Sequence, residues 1–313
     1  MRLGVDIGGA NIVAGVVDSG NAILARGSVR SRIGLTADEF CADVKSAIDI
    51  AVEAAGVSLS DVSFCGIGCP GSVRSDTGMW TLSFNLGIVD LPLADKMTAL
   101  LGLPVGVEND ANCAALGEVK CGAAQGAESA LCITLGTGVG GGIIIGGKIW
   151  SGAGGLAGEV GHMSIYPGGE ECSCGRRGCW EAYCSAPALK RQIRRAMEIS
   201  PESELWRICG SPDKVHGRSA FEAMRLGDPA ATLIVETYIY NLAEGLANCI
   251  QLLRPEIICI GGGVSNEGDD LIIPLRQEVD RRCFGGEKAQ TTTVVCAKLQ
   301  NDAGIIGAAL LNE

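Results

Sequence analysis

The chain of 313 residues carries 25 Lys+Arg against 36 Asp+Glu, a formal charge of −11, with 46 glycines, 10 prolines and 47% hydrophobic residues. That length allows one large or two ordinary domains with sizeable cores, and the apolar, glycine-rich composition excludes a disordered chain. The acidic balance argues against DNA or RNA as the main partner but leaves small nucleotides open, because backbone amides bind phosphate without any basic side chain.

Residues 2–7 and 12–17 are short apolar runs on either side of Gly8 and Gly9, and a third begins at Ala22 after Asp18-Ser19-Gly20-Asn21. This predicts a hairpin meander. The N-terminus has one arginine and then enters the glycine turn, so no signal peptide is expected. Residues 36–56 open with Thr36 and Glu39 in capping-box spacing, keep apolar residues at helical spacing and stop at Gly56. A buried strand is predicted over 63–68, ended by Cys69-Pro70-Gly71, and another over 103–107, running into Glu108-Asn109-Asp110 and then a helix over 111–120. Strands and helices in this order describe an α/β domain with a mixed sheet.

A second α/β unit follows. Strands over 130–135 and 142–145 flank Gly136-Thr137-Gly138-Val139-Gly140-Gly141, and helices are expected near 185–198, 219–226 and 229–253. A strand over 256–260 enters Gly261-Gly262-Gly263, 292–297 is another, and 303–311 is a helix whose Gly304, Gly307 and Ala308 suit close packing. The Asp6-Ile7-Gly8-Gly9 and Leu135-Gly136-Thr137-Gly138 segments echo each other, which suggests an internal duplication. No low-complexity linker separates the halves. The expected domains are 1–115, joined by the C-terminal helix 299–313, and a larger 116–298. No run of eighteen apolar residues exists, which excludes a spanning helix. Fifteen cysteines, an odd count, fit reduced thiols in a cytoplasm better than a disulfide framework.

Two glycine motifs are decoys. Residues 136–141 match G-x-G-x-x-G with Glu159 eighteen residues on, but that fingerprint requires strand, turn, helix, and here Ile143-Ile144-Ile145 predicts a strand. Residues 142–148 are spaced like a Walker A loop, yet Ile149 stands where a magnesium-binding Ser or Thr belongs. The turns at 6–10, 136–141 and 261–263 remain. Singly each is a tight turn; together they point to a nucleotide phosphate held by backbone amides.

Residues 158–181 hold the densest chemistry. His162 lies ten residues before Cys172, and Cys174 and Cys179 follow, giving three thiolates and one imidazole. That is the ligand count and type of a closed structural zinc site; the bland alternative is three ordinary buried thiols. A closed set leaves no position for a catalytic water, which argues against a zinc hydrolase. Asp110, where a strand ends and a helix begins, is placed to accept a hydroxyl proton in phosphoryl transfer, with Asp6 holding Mg2+ through water. Asp110 could equally be the helix N-cap, and Glu108 could be the acid instead.

Asp6-Ile7-Gly8-Gly9, Cys69-Pro70-Gly71-Ser72, Asn85-Leu86-Gly87, residues 108–112 (ENDAN), 135–142 (LGTGVGGG), 158–162 (GEVGH), the Cys172–Glu181 segment, 258–263 and 303–307 fall in the order of the ROK family of bacterial sugar kinases and repressors, which the chain resembles over essentially its whole length. The resemblance implies a two-domain actin-like ATPase (ribonuclease H-like) fold with an interdomain cleft and a zinc-binding loop. It implies ATP-dependent phosphorylation of a hexose, glucose at the 6-hydroxyl foremost, with Asp110 as general base. Asn85, Asn109, Glu159, His162 and Glu181 resemble the residues that hydrogen-bond the hexose. Gly8 and Gly9, with Gly136, Thr137 and Gly138, resemble the two phosphate loops, Asp6 serving the nucleotide through Mg2+, and Gly261, Gly262 and Gly263 resemble the adenosine contact. His162, Cys172, Cys174 and Cys179 match the zinc ligands, His162 serving zinc by one ring nitrogen and sugar by the other.

ATP, Mg2+ and structural Zn2+ are thus the implied cofactors, and a cytoplasmic homodimer or tetramer without nucleic-acid or membrane partners is the implied setting. Two positions depart from the family pattern: Ala10 replaces the usual threonine, and Ile88 stands where many relatives have tryptophan. The first bears on the phosphate donor, the second on the sugar. Alternative substrates are N-acetylglucosamine, N-acetylmannosamine, allose and fructose, and a non-catalytic sugar-binding protein is a further alternative. The family's repressors carry an N-terminal helix-turn-helix module, and only five residues precede Asp6.

Overall fold

In the computed structural model, which describes residues 1–289 and 291–313, strands β1 (Arg2–Ile7), β2 (Asn11–Val17) and β3 (Ile23–Arg30) form the expected meander. Helix α1 (Ala37–Ala55) starts on a complete Thr36–Glu39 capping box and stops at left-handed Gly56, φ 67°, as its end signals predict. β4 (Cys65–Cys69) pairs parallel with β1. Next come β5 (Ser72–Arg74), β6 (Met79–Ser83) and β7 (Ile88–Leu91), a three-stranded antiparallel sheet that the sequence reading did not anticipate. Strands of only three to five residues are too short to show an alternation that could be recognised. Trp80 of β6 is fully buried, edge-on to Phe40 of α1 at 5.4 Å, and donates its indole N–H to the Pro70 carbonyl, which fixes this small sheet to the core.

After α2 (Leu93–Leu101), β8 (Val105–Asn109) pairs parallel with β4 and passes directly into α3 (Asp110–Cys121). The sheet order is β3-β2-β1-β4-β8. A second sheet repeats this connectivity with β9 (Ser129–Leu135), β10 (Val139–Ile145), β11 (Lys148–Ile149), β12 (Ile257–Gly261) and β13 (Thr293–Cys296), in the order β11-β10-β9-β12-β13. β10 begins at Val139, three residues earlier than expected, so the glycine turn is only 136–138, and Gly140 and Gly141 lie in the strand.

Between β11 and β12 the chain forms α4 (Glu181–Cys184), α5 (Ala186–Ile199), α6 (Glu204–Cys209), α7 (Ser219–Arg225) and the long α8 (Pro229–Leu253); α9 (Asp269–Arg282) precedes β13. α4, α6 and α9 were not anticipated. The first two are short, and α9 holds Pro274 inside a strongly charged run, a pattern that reads as a break. The last helix, α10 (Ala303–Ala309), packs on β1, β4 and α3.

By compactness the described chain divides into residues 1–132, 142–158 and 298–313 on one hand and 133–141 and 159–297 on the other. α3 runs unbroken through residue 115, so the chain does not change units at the boundary expected there.

Candidate active site and metal loop

Parallel pairing of β1, β4 and β8 sets Asp6 opposite Gly68, Gly68 opposite Glu108, and Cys69 opposite Asn109. Three acids, Asp6, Glu108 and Asp110, therefore gather at the carboxyl ends of neighbouring parallel strands, the ligand side of open α/β sheets. Burial lifts the Asp6 pKa to about 6. A Cβ at Gly304 of α10 would sit 3.1 Å from the Asp6 carboxyl carbon, so the close approach of that helix is what encloses the acid.

Asn109 is the N-cap of α3: its Oδ1 accepts from the Ala111 and Asn112 amides at 2.9 and 3.1 Å, and its Nδ2 donates to the Gly71 carbonyl. The capping alternative raised for Asp110 therefore belongs to its neighbour. Asp110 is the first helical residue, with Oδ1 2.9 Å from the Ala111 amide.

Glu108 is only 4% exposed and accepts four hydrogen bonds, from Ser75 Oγ at 2.6 Å, Ser151 Oγ at 3.2 Å, the Asn109 amide at 2.8 Å and Asn112 Nδ2 at 3.0 Å. Both of its oxygens are committed as acceptors, so the alternative of Glu108 as the acid is corrected: it is the strut that fixes the start of α3. The two serines carry no sequence signal, since their partner lies 33 and 43 residues away. Asn85 is exposed in the 84–87 turn between β6 and β7.

The first glycine turn is closed by the Gly8 amide donating to the Asn11 carbonyl at 2.9 Å, which places Gly9 and Ala10 at its tip. In the other unit, the Gly136 amide donates to the Gly138 carbonyl at 3.0 Å. Gly262 has φ 84°, and a Cβ there would meet the Leu135 carbonyl oxygen at 2.4 Å, so only glycine fits and the 261–263 turn lies against the end of β9. Two of the three candidate nucleotide turns are thereby brought together.

His162, Cys172, Cys174 and Cys179 bring one ligand atom each into a cluster, all within 4.8 Å of one another. His162 Nδ1 is 3.6 Å from Cys172 Sγ, and the Cys174 and Cys179 sulfurs are 3.7 Å apart. A tetrahedral ion with bonds of about 2.3 Å to sulfur requires ligand–ligand edges of about 3.8 Å, slightly less to nitrogen. These four residues therefore fit a soft divalent metal in number, type and spacing. The loop is shaped by tight turns, with the Gly175 amide donating to the Cys172 carbonyl at 3.0 Å and Gly175 at φ 84°. The Arg176 backbone amide holds the Cys174 thiol below its ordinary pKa, which favours a thiolate. The other imidazole nitrogen, Nε2, faces Glu159 Oε2 at 3.8 Å.

Glu181 opens α4 and reaches two places. Its Oε2 accepts from the Val139 amide at 3.1 Å, and its Oε1 accepts from Ser173 Oγ at 3.1 Å. The carboxylate thus joins the end of the 136–138 turn to the cysteine loop. Ser173 was not foreseen, because a serine between two cysteines has no distinctive pattern.

The ROK family profile matches residues 2–313. A curated glucokinase of Streptomyces coelicolor is 40% identical over 312 residues, covering 99% of this chain and 96% of its own. A glucokinase of Halalkalibacterium halodurans is 37% identical over 306 residues, covering 97% and 92%. Among solved structures, a ROK family glucokinase from Streptomyces griseus in complex with glucose and AMPPNP superposes with a TM-score of 0.87 at 40% identity, covering 99% of this chain and 98% of that one. Paired α/β sheets, acids at the strand ends and near-complete coverage lead to one assignment: the chain belongs to the ROK family and has its two-domain actin-like kinase fold.

Proposed function

We propose that this protein is an ATP-dependent glucokinase that transfers the γ-phosphoryl group of ATP to the 6-hydroxyl of glucose. The observation that carries the reading is the 40% identity across 99% of the chain with a glucokinase held with glucose and an ATP analogue. In the reaction the sugar oxygen forms a bond to the γ-phosphorus, the bond from that phosphorus to the oxygen bridging to ADP breaks, and the hydroxyl proton passes to Asp110. Asn109 caps α3 and so sets where Asp110 projects; Glu108, by holding the Asn109 amide, keeps that cap in place. Asn85, Asn109, Glu159, His162 and Glu181 receive and orient the sugar hydroxyls. The amides of the 8–10 and 136–138 turns hold the phosphates, and Gly261, Gly262 and Gly263 lie along the adenosine. Ala10 has no hydroxyl to offer the phosphates, so that turn acts through its backbone.

Asp6, a carboxylate at a strand end, would hold Mg2+ through water; the ion would neutralise charge on the β- and γ-phosphates. His162, Cys172, Cys174 and Cys179 would hold structural Zn2+, and the closed set makes its role architectural. With Nδ1 beside the Cys172 sulfur, His162 would give that nitrogen to the ion and keep Nε2 for Glu159 and sugar. No helix among the described residues is long and apolar enough to cross a membrane. On the family resemblance we place the protein in the cytoplasm as a homodimer.

Asp110→Asn tests the chemistry. Removing a general base costs about 10²–10⁴ in kcat, while a side chain of the same shape leaves glucose affinity within a few-fold. Retention of more than a few per cent of kcat would refute the assignment of Asp110 as base.

A further inference from the structure

Arg30 ends β3 in an exposed position, and among the described residues it is the one arginine whose guanidinium meets neither an acid nor a carbonyl. Its neighbours in sequence are engaged: Arg26 donates to both Asp302 oxygens at 2.7 and 2.8 Å, and Arg32 to both Asp43 oxygens at 2.9 and 2.7 Å. Every other arginine likewise meets a carboxylate or a backbone carbonyl. With 36 acids to 25 bases, a guanidinium left over is not for want of carboxylates.

The sheet fixes the side on which Arg30 stands. Cβ atoms at Gly4 of β1 and Gly15 of β2 would strike Ile305, so both positions face α10, whereas a Cβ at Gly27 of β3 would strike Ala47 and Ala51 of α1. Gly4 pairs with Gly15, and Gly15 with Arg26, whose partner Asp302 immediately precedes α10. Side chains alternate along a strand, so Asp6, Asn11 and Arg30 share the α10 face. Arg30 pairs with Asn11, whose carbonyl takes the Gly8 amide, which sets it level with the 8–10 turn and about 10 Å, two strand spacings, from β1. Ser31 locks the end of β3 to that turn: its amide donates to the Ala10 carbonyl at 3.0 Å and its hydroxyl to the Gly8 carbonyl at 2.6 Å. Those bonds occupy two carbonyl oxygens of the turn, the groups that would repel an anion.

On the glucokinase reading, which puts phosphates at this turn, we propose that Arg30 is a further phosphate-binding residue. Its guanidinium donates to non-bridging oxygens of the ATP phosphate chain, on the face where Asp6 would hold Mg2+. Ala10 leaves the turn without a side-chain donor, and Arg30 supplies one from the adjoining strand. A guanidinium offers paired N–H donors in a plane and keeps its charge at any working pH, so its bonds to phosphate are charge-assisted.

Steady-state kinetics with ATP and glucose test this. Arg30→Gln removes the charge and is expected to raise KM for ATP about tenfold, the loss of one charge-assisted contact, with KM for glucose unchanged. Arg30→Lys, which keeps the charge, recovers part of that loss. Added salt should raise KM for ATP more steeply in the parent protein than in Arg30→Gln, because an ion pair is screened. An unchanged KM for ATP in Arg30→Gln, a salt dependence equal to the parent's, or a lysine variant no better than the glutamine one overturns the contact and leaves the kinase reading standing. A matching rise in KM for both substrates also overturns it, since a loosened sheet would act on both. A parent protein that transfers no phosphate from ATP to any hexose overturns the kinase reading and the contact together.

Discussion

Asp6 is held where a carboxylate is not comfortable. Its pKa of about 6 in the folded protein lies above the value of 3.8 expected without burial. Between those two pH values the folded state retains a proton that the unfolded chain has released, so the stability supplied by this group falls as pH rises through that window. At pH 7.5 its ionised form costs at most about 3 kcal/mol. Asp6→Asn, studied without nucleotide or magnesium, should therefore raise the urea midpoint at pH 7.5, bring no gain below pH 4, and lower kinase activity. A variant equally destabilised at both pH values would show that burial of the charge is not what it relieves. Acids such as Asp6 and Asp110 were legible in the sequence because they stand beside glycines or at a strand end. The acceptor role of Glu108 was not, since Ser75 and Ser151 reach it only after three separate segments have folded.

At the scale of elements, α10 is held by glycine contacts. A Cβ at Gly307 would lie 1.7 Å from the Cys113 carbonyl oxygen of α3, and one at Gly66 of β4 would lie 1.8 Å from the Ala308 carbonyl oxygen. Neither backbone can yield without separating the helix from what it packs on. Gly307→Ala should cost about 2–3 kcal/mol in chemical denaturation, toward the upper end of overpacking effects; a loss below about 0.5 kcal/mol would mean that the helices part freely. The small residues of this helix were visible in the sequence, and so was their purpose. The sheet of β5, β6 and β7 was hidden, because its strands are short and Trp80 and Phe40 meet only in three dimensions.

The loop of His162 and the three cysteines belongs to the same scale. Its four candidate ligands could be listed from spacing, but the link from Ser173 through Glu181 to Val139 required the fold. Freshly purified protein should contain about one zinc per chain, the content of a single four-ligand site. Cys174→Ala should lose the ion and weaken glucose binding at least tenfold, a loss typical of damage around a metal site. Elemental analysis finding no zinc, or a metal-free variant with unchanged glucose affinity, would contradict the architectural role.

For the whole molecule, each of the two sheets of the same strand order carries a glycine turn: residues 8–10 in one, 136–138 in the other. The likeness of the two turns was partly legible, since in both an apolar strand runs into glycines, and it suits a chain of net charge −11: on the proposed function, backbone amides would hold phosphate without a basic surface. Ala10 and Ile88, where the sequence departs from the family pattern, make the donor and the sugar the points to test. The central claim is glucose phosphorylation by ATP. Its most direct measurement is coupled ADP detection over a panel of glucose, N-acetylglucosamine, N-acetylmannosamine, allose and fructose, with the phosphorylated carbon located by NMR. The account predicts the highest kcat/KM for glucose and phosphate on its 6-oxygen. ADP release that no sugar accelerates, or a clear preference for another hexose, would contradict it.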